Sequence, residues 1–258
     1  MTKHLVLAGI MVLATAASGV APHPAVAQGA SPQAPGAPAA PSQEAAPAQS
    51  QGVAGISYSP PLRGAPGGRV GGASRGAVKP PAPLPTIDLL APADQAGQTV
   101  SAAPTLYYFV SRPVASPMQL TISAPLRPAP ILEVNIKAPH APGIHPLRLA
   151  DYRARLEPGI VYTWSVSIIL DPKAWSRNIV ASAAILRVAP DPETAGAAAS
   201  PGLRQAATFA RAGLWYDAIS AAFDNRGSDG HAALDHLMEQ VGLTEAARFD
   251  RTTRSVGQ

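Results

Sequence analysis

The chain has 258 residues, long enough for one or two domains, and carries a formal net charge of +4. Residues 1–80 hold five basic residues and one acidic residue, a surplus that equals the whole net charge, so the rest of the chain is near neutral. This balance lacks the basic face that nucleic-acid binding requires, so we expect no nucleic-acid partner. Because the chain has no cysteine, it forms no disulfide, and an apolar core must supply its stability.

The first predicted element is a secretory signal peptide over residues 1–27. Lys3 precedes an uncharged apolar run, and Ala25 and Ala27 flank Val26 in the small-x-small pattern that signal peptidase cleaves. The apolar run is shorter than the roughly 20 residues of a membrane-spanning helix. We expect cleavage after Ala27, a periplasmic or secreted mature chain, and no stable membrane insertion after cleavage. An uncleaved anchor is the alternative.

Residues 28–85 have the composition of a disordered, low-complexity linker. They consist largely of Ala, Pro, Gln and Gly, which bury too little apolar surface to offset the chain entropy. Arg63, Arg69 and Arg75 recur every six residues among glycines, where backbone amides and guanidinium groups together could hold an anion. These arginines are candidate partner-binding residues for an anionic partner, and a flexible basic arm is the alternative.

Residues 86–190 predict an immunoglobulin-like antiparallel β-sandwich of about seven strands. Apolar and polar residues alternate most clearly over residues 161–170, where Tyr162, Trp164 and Val166 share one face, and Thr163 and Ser165 share the other. The first face is expected in the core. The predicted strands cover residues 87–90, 105–110, 119–123, 131–137, 145–149, 161–170 and 179–188.

Residues 191–201 predict an Ala-rich linker, and residues 202–252 predict a helical hairpin segment. Helices are expected over residues 203–212, 214–224 and 230–241, with a single turn near residues 244–248. Residues 210–218 resemble one helix-turn-helix of a tetratricopeptide repeat, although one unit is too few for a solenoid. Trp215 and Tyr216 are candidate partner-binding residues if they form an exposed aromatic patch, and packing against a neighbouring element is the alternative.

Three patterns that could carry chemistry fail on their context. Residues 72–76 satisfy G-x-S-x-G, yet the strand and helix that a nucleophile elbow needs are missing around them. Residues 224–230 place Arg226 and Asp229 where a calcium loop needs an oxygen ligand and a glycine. His231 and His236 are five residues apart and cannot share a metal on one helix face. We therefore expect no enzyme activity, no metal and no cofactor.

The chain resembles the bacterial family known as domain of unknown function 928. Residues 58–76 resemble the opening signature of that family, and later landmarks follow in the family's order: Leu90-Ala91-Pro92, Pro104-Thr105, Tyr162-Thr163-Trp164, Asp171-Pro172 and Gly213-Leu214-Trp215-Tyr216-Asp217-Ala218. The resemblance covers about residues 58–241. It implies an exported protein without an assigned activity and supplies no catalytic residue.

The composition and the predicted elements favour a non-catalytic binding or envelope-interaction module in the periplasm or outside the cell. Its expected partner is an envelope protein or an anionic envelope polymer. A structural scaffold or assembly component of an exported complex is the alternative function.

Overall fold

The computed structural model describes residues 56–62, 64–71, 83–139, 141–197 and 202–256. In these residues the chain forms two β-sheets followed by five helices, so the fold is mainly β with a helical C-terminal part. The strands are β1 (Ile87–Leu89), β2 (Gly97–Thr99), β3 (Thr105–Val110), β4 (Met118–Ser123), β5 (Leu132–Ile136), β6 (Gly143–Arg148), β7 (Val161–Ile168) and β8 (Ile179–Arg187). The smaller sheet has the order β1-β3-β6, and the larger sheet has the order β2-β8-β7-β4-β5.

The alternation over residues 161–170 is confirmed as a half-buried strand. Strand β7 is the middle strand of the larger sheet, and Tyr162, Trp164 and Val166 are buried while Thr163 is exposed. All seven predicted strands are present, and no end lies more than two residues from its predicted position. The register of β7 is therefore the one that the apolar pattern demands.

The prediction of a purely antiparallel arrangement is wrong at one edge. The short strand β2 was not predicted, and it pairs in parallel with β8, with Gly97 opposite Ile185 and Thr99 opposite Arg187. Gly97 is required there because a Cβ atom at this position would lie 2.6 Å from Cε2 of Tyr216. Strand β2 therefore lies at the edge of the larger sheet, against Tyr216 of the helical part. A local sequence pattern does not show this long-range contact.

The five helices are α1 (Pro192–Ala197), α2 (Leu203–Arg211), α3 (Trp215–Asp224), α4 (Ser228–Gln240) and α5 (Thr244–Val256). Helices α2, α3 and α4 lie close to their predicted positions. Helix α1 occupies part of the predicted linker, where Asp191 and Thr194 exchange hydrogen bonds at its start. Helix α5 runs for 13 residues where one turn was expected, because beyond that turn Phe249 packs on Phe109 and Arg254 pairs with Asp235. None of the helices in the described part of the chain is long and apolar enough to cross a membrane.

The helices cover one face of the smaller sheet. On β3, Tyr107 contacts Phe223 of α3 with ring centroids 4.5 Å apart, and Phe109 contacts Phe249 of α5 at 5.4 Å. Residues 106–110 of β3 are all buried, so the other face of this strand is covered as well. Both sheets and the helices contribute to one hydrophobic core.

Residues 56–62 and 64–71, called the arm below, pack on this body. Ile56 and Tyr58 are buried, and the amide group of Gln240 accepts a hydrogen bond from the Tyr58 backbone N–H and donates one to the Ile56 carbonyl. Val70 exchanges two backbone hydrogen bonds with Ser182 of β8. The prediction of a disordered linker over residues 28–85 is wrong for the arm, because two large apolar side chains anchor it. Residues 28–55 lie outside the described residues.

Candidate functional site

Two of the predicted partner-binding residues, Trp215 and Tyr216, are buried at the start of helix α3. The turn before this helix depends on Gly213, whose φ of 76° favours glycine. The indole Nε1–H of Trp215 donates to the Leu90 carbonyl at 2.8 Å. The Tyr216 hydroxyl accepts from Trp164 Nε1 at 2.9 Å and donates to the Ala184 carbonyl at 3.2 Å. The hypothesis of an exposed aromatic patch is wrong, because these rings join the helix to the sheets.

Arg69 is the member of the predicted arginine set that lies within the described residues. Arg69 is half-buried, and its guanidinium donates to the Val241 carbonyl at the end of α4 at 3.4 Å. Burial lowers the pKa of Arg69, and the nearby Asp88 carboxylate partly offsets this effect. Arg69 therefore ties the arm to the helices. Arg63 and Arg75 lie outside the described residues.

A group of charged side chains lies between helices α4 and α5. His231 Nδ1 is 3.0 Å from Asp250 Oδ2, and Arg254 bonds Asp235 and also pairs with Asp250. Burial raises the pKa of Asp235, and the Arg254 guanidinium opposes that effect. These contacts fasten α5 to α4. Among the described residues, no three His, Cys, Asp or Glu side chains are placed to hold a metal ion.

Among the described residues, a candidate ligand site is a surface pocket of about 430 Å³, within the roughly 300–1,000 Å³ typical of small-molecule sites. It lies where the end of β5 in the larger sheet approaches β6 in the smaller sheet. We refer to it as the edge pocket. Its apolar lining comes from Ile136, Ala138, Pro139, Ala141, Pro146 and Leu147, and its polar lining comes from Tyr108, Lys137, His145 and Tyr152.

The sheet geometry explains why these polar groups meet. Tyr108 of β3 lies directly opposite His145 of β6 in the antiparallel register, and their ring centroids are 5.5 Å apart. Tyr152 follows β6 in a short 3-10 turn, and Lys137 follows β5. Cross-strand pairing thus fixes two of the four groups, and short connections bring in the other two.

The protonation states in the edge pocket follow from burial. Burial raises the pKa of Tyr108 to about 12 and also raises the pKa of Tyr152, so both phenols stay protonated at neutral pH. Burial lowers the pKa of His145, so its ring is neutral at pH 7. His145 Nε2 lies 3.0 Å from the Ala141 carbonyl, which only accepts, so Nε2 carries the proton and Nδ1 is an acceptor. The pocket therefore offers two hydroxyl groups, one imidazole acceptor and one ammonium group.

The sequence patterns did not single out this pocket. Its lining residues are spread from Tyr108 to Tyr152, and Tyr108 and His145 come together only through the β3–β6 register. The one signal available was the alternation on β6, which places His145 and Leu147 on the same face of the strand. His140, the neighbouring histidine of the sequence, lies outside the described residues.

The family model described as Domain of Unknown Function (DUF928) matches residues 70–249. The matched region contains the eight strands given above, the edge pocket and helices α1 to α4. No curated protein matches this chain. No solved structure matches it.

Proposed function

Because the chain belongs to the DUF928 family, whose description names no activity, we propose a function from its own geometry. The protein is an exported, non-catalytic module that binds an anionic envelope polymer through the edge pocket. The observation that carries this proposal is the pocket itself, in which polar groups from the smaller sheet and from short connections converge on an apolar wall.

The two tyrosines of the pocket are better suited to holding a ligand than to attacking one. A tyrosine acts as a nucleophile or base only as phenolate, and the raised pKa values of Tyr108 and Tyr152 oppose that form. The N–H group of His145 donates to the Ala141 carbonyl, and this hydrogen bond fixes the orientation of the ring. Groups with fixed donor and acceptor roles suit recognition, because they lose little freedom when a ligand binds.

For the fold we propose an immunoglobulin-like β-sandwich with one parallel edge. Two observations support this assignment. The two sheets share one core, and the central strand β7 buries Tyr162, Trp164 and Val166 on one face while Thr163 is exposed on the other. The parallel pairing of β2 with β8 departs from the common pattern.

Export rests on the signal peptide pattern of residues 1–27. The mature chain is proposed to begin at Gln28 and to reside in the periplasm or outside the cell. N-terminal sequencing of the protein recovered from a fractionated host tests this point, and a retained Met1 would contradict it.

The binding proposal is tested by co-sedimentation of the mature chain with peptidoglycan sacculi and with polygalacturonate fixed to beads. Ala141 is exposed at the rim, so Ala141→Trp should block the edge pocket without disturbing the core. Ala129→Trp, at an exposed loop position outside the pocket lining, is the matched control. We expect the wild-type and Ala129→Trp chains to sediment with at least one polymer and Ala141→Trp to stay in solution. Equal sedimentation of all three chains, or of none, would refute the proposal.

A scaffold role is the second candidate function, and the arm is the observation that favours it. The arm contacts both the helices and the larger sheet, through Gln240 and Ser182, and so joins the parts into one body. A scaffold would form a defined complex with another exported protein whether or not the pocket is blocked. Sedimentation velocity shows whether the Ala141→Trp chain still enters such a complex. A scaffold would still enter it, whereas a module that binds through the edge pocket would not.

A further inference from the structure

The edge pocket has an apolar side and a polar side, and a ligand that fills it must match both. Pro139, Pro146, Ile136 and Leu147 supply carbon surfaces, and the Tyr108 and His145 rings lie beside them. A ring that presents C–H groups on its faces and polar groups at its rim fits this division.

The hydrogen-bonding groups restrict the ligand further. The protonated Tyr108 and Tyr152 hydroxyls can donate, whereas Nδ1 of the neutral His145 ring accepts. A ligand that only accepts, such as sulfate, leaves the imidazole acceptor unmatched. Ligand hydroxyl groups both donate and accept, so a polyhydroxylated ring satisfies the whole set.

The charge at the rim of the edge pocket determines which polyhydroxylated ring fits best. Lys137 is the only charged residue in the pocket lining, it is exposed, and among the described residues it forms no ion pair. An ammonium group beside a cluster of hydrogen-bonding groups complements a carboxylate on the ligand.

Resting on the proposed function, we infer that the edge pocket holds a carboxylated sugar unit of an extended acidic polysaccharide. The hydroxyl groups of the sugar meet Tyr108, Tyr152 and His145, its C–H face packs on the prolines, and its carboxylate lies beside Lys137. Because Lys137 and Ala141 are exposed at the rim, the polymer continues across the surface on both sides of the bound unit.

The test is calorimetric titration of the mature chain with trigalacturonic acid and with its methyl ester, which lacks the carboxylate charges and carries a methyl group in their place. We expect the acid to bind about fivefold more tightly than the ester, the upper range for a partly exposed ion pair, with a difference that shrinks in salt. Lys137→Met should abolish this difference, whereas Lys173→Met, which changes an exposed lysine outside the pocket lining, should keep it. Tyr152→Phe should weaken binding of both oligomers by a similar factor because it removes a hydrogen bond.

Equal affinity for acid and ester, or a difference that persists in Lys137→Met, would overturn the carboxylated sugar and leave the binding module standing. Displacement of the oligomer by millimolar acetate or inorganic phosphate would also overturn it, because the pocket would then be a simple anion site. Failure of the wild-type chain to sediment with any polymer refutes the proposed function itself, so the two failures are distinguishable.

Discussion

Tyr216 connects three parts of the molecule through one hydroxyl group. Its ring lies edge-on to Trp164, with centroids 6.4 Å apart, and its hydroxyl bonds both the Trp164 indole and the Ala184 backbone. Burial of this residue raises the pKa of its hydroxyl, which therefore stays protonated at neutral pH and donates to the Ala184 carbonyl. A buried hydroxyl group is costly to the fold unless it is bonded in this way. The contact therefore fixes where helix α3 sits on the sheets.

Replacement of Trp164 by Ala should be among the most damaging single changes in the chain. The side chain is fully buried, and its removal leaves a cavity and deprives Tyr216 of a partner, at a cost of about 3–5 kcal/mol. Thr163→Ala, on the exposed face of the same strand, is the matched control and should cost less than about 1 kcal/mol. Urea unfolding followed by circular dichroism measures both. Similar losses for the two variants would contradict the assigned register.

Asp217 should make the stability of the protein depend on pH. Burial raises the pKa of its carboxyl group to about 6, even though its Oδ2 accepts a hydrogen bond from the Val100 backbone N–H at 3.0 Å. An unfolded aspartate has a pKa near about 3.9, so the folded chain binds this proton more tightly, and the stabilisation is lost as the pH rises through about 6. Asp217→Asn should flatten this dependence and gain about 1–3 kcal/mol at pH 7.5.

Thermal melts between pH 4.5 and 7.5 check this expectation. Asp94→Asn, at an exposed position, serves as the control and should follow the wild-type curve. If Asp217→Asn shows the wild-type pH dependence, burial of this carboxyl group does not govern the effect.

At the scale of the elements, the arm depends on close backbone packing. Arg69 N donates to the Pro92 carbonyl at 3.1 Å, and a Cβ atom at Gly68 would lie only 1.7 Å from the Ala93 carbonyl oxygen. At Gly71 the nearest atom to such a Cβ, Asp88 Oδ1, is 3.6 Å away, which is an ordinary contact. Close packing therefore requires glycine at position 68 but not at position 71, although the sequence presents the two residues alike.

Gly68→Ala should detach the arm, whereas Gly71→Ala should leave it in place. Relieving the clash at Gly68 requires the arm to move away from the Ala93 backbone, with an expected loss of about 1–3 kcal/mol. Limited proteolysis should then cut Gly68→Ala within residues 56–71, while Gly71→Ala resists as the wild type does. Equal protease sensitivity of the two variants would contradict the packing of the arm.

The sequence predicted the elements whose burial repeats at a regular spacing and missed those fixed by distant contacts. Strand β7 and helices α2 to α4 carry apolar residues at intervals of two or of three to four, because one face of each is buried. Strand β2 is only three residues long and owes its position to Tyr216 and to β8. The sequence did not predict the edge pocket because distant contacts form it as well, since the partners of Tyr108 lie on other strands and turns.

On the scale of the whole molecule, helices α3 and α5 cover the smaller sheet, and α3 also bonds the larger sheet through Tyr216, so the helices and both sheets form one body. The edge pocket opens where the edge strands β5 and β6 approach each other, so rigid elements flank it. A site between such elements keeps its geometry when the ligand is absent, which reduces the entropic cost of binding. The stability of the edge pocket therefore depends on the stability of the helices and sheets together.

The arm should belong to the cooperative folding unit, so a chain that begins at Ile56 should be clearly more stable than a chain that begins at Thr86. The shorter chain loses the buried side chains of Ile56 and Tyr58, each worth about 1.5–3 kcal/mol, together with their bonds to Gln240. It also uncovers Trp215, whose ring lies 4.9 Å from the Tyr58 ring. We expect a lower urea midpoint for the chain from Thr86 and a red-shifted tryptophan emission before unfolding. The chain from Ile56 should match the mature chain from Gln28 in both respects. If the chains from Ile56 and Thr86 unfold at the same urea concentration, the arm contributes nothing to the fold, and residues 86–190 with the helices are the complete stable unit, as the sequence alone predicted.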